Sequence, residues 1–126
     1  MAGASAGLHE SEDQLSAETI DEHRALLSII EELEAVDWYR QRAEATSDPD
    51  LAAILVHNRD EEKEHMAMAL EWLRRRDPVL DRHLRTYLFT EGSIVEEEHQ
   101  AEASENDGGR VSGSLHIGNL HGKALA

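Results

Sequence analysis

The chain has 126 residues with 27 acidic against 12 basic side chains, a formal net charge of −15, no cysteine, two prolines and 4% aromatics. That length allows one small domain, the scarce aromatics argue against an all-β fold, and the missing thiols exclude disulfides, zinc–thiolate sites and iron–sulfur clusters. The acidic surplus excludes nucleic acid and anionic membrane as partners, since phosphate binding needs a basic face, and leaves metal cations as the simplest ligands.

Residues 1–15, MAGASAGLHESEDQL, are small, polar and acidic and are expected to form a flexible arm. They have neither the basic start nor the apolar run of a signal peptide, and no apolar stretch of membrane length follows, which points to a cytoplasmic protein. A first helix is predicted from about Ser16 to Ala45, because Ile20, Leu26, Leu27, Ile29, Ile30, Leu33 and Val36 recur at helical spacing. ATSDPDL then stops and restarts the chain, with Ser47 in the N-cap position ahead of Pro49 and Asp50. The second helix is predicted over about 48–76. Its end carries Arg74, Arg75 and Arg76, the sign that the C-terminal dipole favours, and Asp77-Pro78 terminates it. A short third helix follows over about 79–89, with Leu80, His83, Leu84, Tyr87 and Leu88 on its apolar side.

These elements make one helical domain over 16–90. Residues 91–112 contain three consecutive glutamates followed by Ser, Asn, Asp and Gly, and read as an acidic, disordered linker with too little apolar surface to offset the entropy of ordering. Residues 113–126, GSLHIGNLHGKALA, bring back Leu115, Ile117 and Leu120 among glycines. That is the pattern of a docking peptide on a tether; on composition alone a random tail fits equally well. The predicted fold is all-α: two long antiparallel helices plus a short C-terminal helix. Two helices about 45 Å long cannot enclose a core, so an apolar flank stays open, and self-association with a second copy is expected.

In NRDEEKEHMAMALEW the seam Leu55, Asn58, Glu62, His65, Ala69, Trp72 sets a carboxylate and an imidazole where leucines belong. Both are costly there unless neutralised, and a metal is one means. Glu-x-x-His occurs twice, at Glu62/His65 and Glu96/His99; the second falls in the expected linker and is set aside. A third residue strengthens the first. Glu32 interrupts the largely apolar face of Ala25, Ile29, Val36 and Tyr39 on the preceding helix. Di-iron carboxylate bundles use one Glu from each of two helices and a Glu-x-x-His from each of the other two, so this chain carries half the set and a symmetric dimer would complete it. Carboxylate and imidazole suit Fe(II), Mn(II) or Zn(II). On spacing alone, the alternative is a pair of solvated glutamates beside a hydrogen-bonded core histidine.

EELEAVDWYRQRAEATSDPDLAAILVHNRDEEKEH, with LEWLRRR and HLRTYLFTEG after it, resembles the encapsulated ferritins, iron-oxidising cargo of encapsulin nanocompartments. The tail GSLHIGNLHG is similar to the peptide by which such cargo docks inside the shell, and it assigns docking to Ser114, Leu115, Ile117, Gly118 and Leu120. The resemblance implies a ferritin-like four-helix bundle completed by dimerisation, with two iron ions per dimer. It also implies dimers assembled into a ring, a decamer, inside the encapsulin lumen, with Fe(II) and dioxygen or peroxide as substrates. It assigns Glu32, Glu62 and His65 as iron ligands and catalytic residues, with Tyr39 beside them. Glu31 and Glu34 become an outer metal-uptake site near Trp38, and His57, Glu61 and Glu64 a peripheral metal cluster. Two other functions remain open: a helical oligomerisation or cargo adaptor without catalysis, and a rubrerythrin-like di-iron peroxidase, for which the chain lacks the cysteines of a rubredoxin centre.

Overall fold

A computed structural model describes residues 7–111, with side chains through 107. After a short 3-10 helix, Glu12–Gln14, come α1 (Ala17–Ala45), α2 (Pro49–Arg74), α3 (Pro78–Tyr87) and α4 (Ile94–Val111), and there is no strand among the described residues. The all-helical class expected from composition is what the chain adopts.

Local chemistry sets most helix starts. Ser16 caps α1, its hydroxyl accepting from the Thr19 N–H at 3.1 Å. Asp48, not the expected Ser47, caps α2: its carboxylate accepts from the N–H groups of Asp50 (2.9 Å) and Leu51 (3.4 Å). Asp has the advantage that its full charge faces the positive end of the helix dipole, with Pro49 as the first helical residue. Asp77 repeats the device at α3, accepting from Val79 and Leu80 at 3.0 Å each, with Pro78 next. Two ends are shorter than predicted. The second helix stops at Arg74 and the third at Tyr87. Beyond the third, Phe89 takes a positive φ of 63° and the Thr90 hydroxyl donates to the Tyr87 carbonyl, which closes the turn.

The chain divides into two compact units, the first ending at Arg76 and the second beginning at Asp77. In the first, α1 packs along α2, and the three-residue connection makes them an antiparallel hairpin. Leu73, 6% exposed, is the one buried side chain among the described residues, whereas Leu26 (51%), Leu33 (48%) and Ile54 (57%) stand open. Two cylinders in contact bury only the strip between them, so the remaining apolar flank is the signature of half a bundle. At the end of α2 the Glu71 carboxylate accepts from Arg74 Nε (2.6 Å) and Nη2 (2.7 Å) and from Arg75 Nε (2.8 Å). These hydrogen bonds, Arg74's first, hold Glu71 at about 2, well below the usual carboxylate value. The Arg76 guanidinium stacks 3.8 Å from the centre of the Trp72 ring.

In the second unit α3 packs on α4. Residues 94–111 are therefore helical where the sequence predicts a disordered linker. The expectation weighed only apolar content. It left out the helix propensity of alternating Ala and Glu, the Ser93 hydroxyl accepting from the Glu96 N–H at 3.4 Å, the acids at the positive helix end, and an ion pair between Arg82 and Glu105 at 3.1 Å.

Candidate metal centre

Three side chains from two helices meet on the helical hairpin. Glu32 projects from α1, and Glu62 and His65 project from α2 at i and i+3, one above the other on a single face. His65 Nδ1 lies 3.6 Å from Glu32 Oε2 and 3.6 Å from Glu62 Oε2. One ligand atom from each of the three fits within 4.8 Å of the others.

That spacing is informative. At 3.6 Å the imidazole is beyond ordinary hydrogen-bond range of both carboxylates. Donor atoms bound about 2.0–2.2 Å from a divalent first-row ion stand about 3–3.5 Å from one another, so only a small contraction would close these three around a cation. The donor set of two hard carboxylates and one borderline imidazole fits Fe(II), Mn(II) or Zn(II). The side chains are partly open, at 25% for Glu32, 22% for Glu62 and 43% for His65, so solvent and ions reach them. Three ligands from one chain leave coordination positions unfilled.

Among the described residues this is the one group of three or more His, Asp or Glu side chains close enough to share an ion. His57 and Glu61 do meet, with His57 Nε2 3.5 Å from Glu61 Oε1 on a well-exposed surface. Glu64 instead lines a groove on α2 with Met68 and Trp72, and does not close a trio with them. Glu31 is exposed and Glu34 half-buried, and within one chain they form no three-ligand group. Trp38, 42% exposed, borders a shallow hollow with Gln41 and Arg42, and the Arg42 guanidinium sits 5.7 Å from the centre of the Tyr39 ring. The docking residues Ser114, Leu115, Ile117, Gly118 and Leu120 lie outside the described residues.

A helical hairpin that brings one Glu together with a Glu-x-x-His while leaving an apolar flank open defines a ferritin-like protein of the half-bundle kind. The chain matches the EncFtn-like family over residues 7–91 and belongs to that family. It is 54% identical over 132 aligned positions to the encapsulated ferritin-like protein of Rhodospirillum rubrum, covering 98% of this chain and 94% of that one. It is 41% identical over 59 positions to the encapsulin nanocompartment cargo protein EncC of Myxococcus xanthus, covering 47% of this chain and 45% of EncC. The crystal structure of protein ne0167 from Nitrosomonas europaea superposes with a TM-score of 0.69 at 59% identity, spanning 70% of this chain and 97% of that one.

Proposed function

We propose that the protein is a ferroxidase. Two copies join their open flanks about a two-fold axis, and the paired Glu32, Glu62 and His65 hold two Fe(II) ions between them. Fe(II) is the substrate: each ion gives up one electron to dioxygen or peroxide and leaves as Fe(III) for storage. The observation that carries this reading is the convergence of Glu32, Glu62 and His65 where α1 packs on α2.

The chain's own residues have definable tasks. Four carboxylates in the dimer balance the charge of two divalent ions, so the loaded centre is close to neutral and can sit at a protein–protein boundary at modest electrostatic cost. His65 presents Nδ1 to the site and must be unprotonated there to serve as a ligand. Leu26, Ile30 and Leu33 on α1 and Leu51 and Ile54 on α2, all exposed in one chain, supply the apolar area that drives pairing. The surplus of 27 acids over 12 bases attracts Fe(II), an attraction that salt weakens. On this reading Glu31 and Glu34, with Trp38 beside them, pass ions inward, and His57, Glu61 and Glu64 hold a peripheral ion that a neighbouring copy helps to ligate.

Dimers assemble further into a ring, a decamer. The C-terminal peptide, through Ser114, Leu115, Ile117, Gly118 and Leu120, anchors it in the lumen of an encapsulin shell, where the mineral collects. The names of the two relatives, an encapsulated ferritin-like protein and an encapsulin cargo protein, support that partner.

Anaerobic titration with Fe(II), followed by admission of air, tests the proposal. Binding should saturate at two irons per dimer and the bound iron should oxidise faster than free Fe(II). Absence of stoichiometric binding would leave an adaptor, and the ferroxidase reading would be withdrawn.

A further inference from the structure

We infer that Met68 is a modification site, the thioether that hydrogen peroxide oxidises ahead of Met66 on α2. The inference about its source of peroxide rests on the ferroxidase reading; the reactivity itself does not.

Met68 lies three residues beyond His65 on α2, so the two side chains occupy neighbouring positions on one helix face, about 5–6 Å apart at Cβ. It is 58% exposed and borders an open groove with Ala67, Trp72 and Glu64. Met66, two residues earlier, is half-buried and points to a different side of the helix. Susceptibility of methionine follows exposure, so the two differ in access although they are chemically identical. Thioether sulfur is soft and nucleophilic, and no cysteine is present to compete for oxidant.

The chemistry balances without an outside reductant. Two Fe(II) ions losing one electron each reduce one dioxygen, with two protons, to hydrogen peroxide. The Met68 sulfur then attacks one peroxide oxygen. The O–O bond breaks as the S–O bond forms, sulfur loses two electrons, and the second oxygen leaves as water after taking the proton from the first. Met68 becomes the sulfoxide, and one peroxide is removed beside the centre that made it.

The test uses the full chain and tandem mass spectrometry of the peptide that contains both methionines. In the first arm hydrogen peroxide is added to metal-free protein; in the second, Fe(II) is oxidised in air with and without catalase. The first arm should give at least about fivefold more sulfoxide at Met68 than at Met66. The second should give the same preference, abolished by catalase. Equal oxidation of the two in the first arm overturns the inference, as it would if a partner subunit covered Met68. Preference in the first arm combined with normal iron oxidation but no Met68 sulfoxide in the second overturns the link to turnover. Failure of iron to oxidise at all counts against the ferroxidase reading, while the first arm still decides Met68. At two Fe(II) per dimer, a single turnover, a Met68→Leu variant should keep the wild-type rate of Fe(II) oxidation and release more free peroxide; unchanged peroxide release would contradict its role as a sink.

Discussion

His65 Nδ1 stands 3.6 Å from Glu32 Oε2, an imidazole on one helix facing a carboxylate on the other across the groove of the hairpin. Only the packing of α1 on α2 brings them together, and the proposed iron chemistry depends on that pair and Glu62 beside it.

Removing a ligand should therefore stop the chemistry without unfolding the chain. Glu62→Ala and His65→Ala are each expected to slow fast Fe(II) oxidation by more than about tenfold, since even groups outside a metal's immediate ligands cost that much. The side chains are partly open to solvent, so far-UV circular dichroism should remain that of the wild type. Wild-type oxidation kinetics in both variants would move the site elsewhere.

A charge on the open flank should oppose pairing. Leu33 is 48% exposed in one chain, and Leu33→Glu is expected to weaken self-association by at least about tenfold, the loss from leaving one leucine side chain unburied. Sedimentation velocity over a concentration series reads this directly. The variant should also lose stoichiometric Fe(II) binding, because each half-site lacks ligands. A variant that stays dimeric would place the pairing face on another side of the hairpin.

The Glu71 clamp predicts a pH dependence whose sign can be worked out. Its folded value, about 2, lies below the ordinary value of 4.5, so ionised Glu71 is favoured by folding. Its contribution is complete above about pH 4.5 and is lost as the pH falls toward about 2. The ion pairs are solvent-exposed, so Glu71→Gln should lower the melting temperature only slightly at neutral pH, with the difference closing near pH 2 and in high salt. Thermal melts at three pH values would show it; a gap undiminished in acid would mean that Glu71 acts through packing instead.

Deleting residues 113–126 should separate catalysis from packaging. The truncated chain retains Glu32, Glu62 and His65 and should oxidise Fe(II) at the wild-type rate, while co-purification with a co-expressed encapsulin shell should fall to background. Packaging that survives the deletion would transfer docking to another segment.

The sequence by itself determined the helical class, the long-helix boundaries to within a few residues, and the identity of the three convergent side chains. It could do so because capping residues, helical spacing and polar interruptions of an apolar seam are local or periodic properties. Ser16, Ala45 and Asp77-Pro78 fall at or beside the helix ends that the structure has. It misjudged residues 94–111, where an inventory of apolar residues could not register a helix supported by propensity, dipole and contact with α3. It named Ser47 as the cap where Asp48 serves, because the choice depends on backbone geometry at the turn. Only tertiary structure decided that Glu32 reaches Glu62 and His65, because helical phase fixes a face but the packing of one helix on another selects which face is shared.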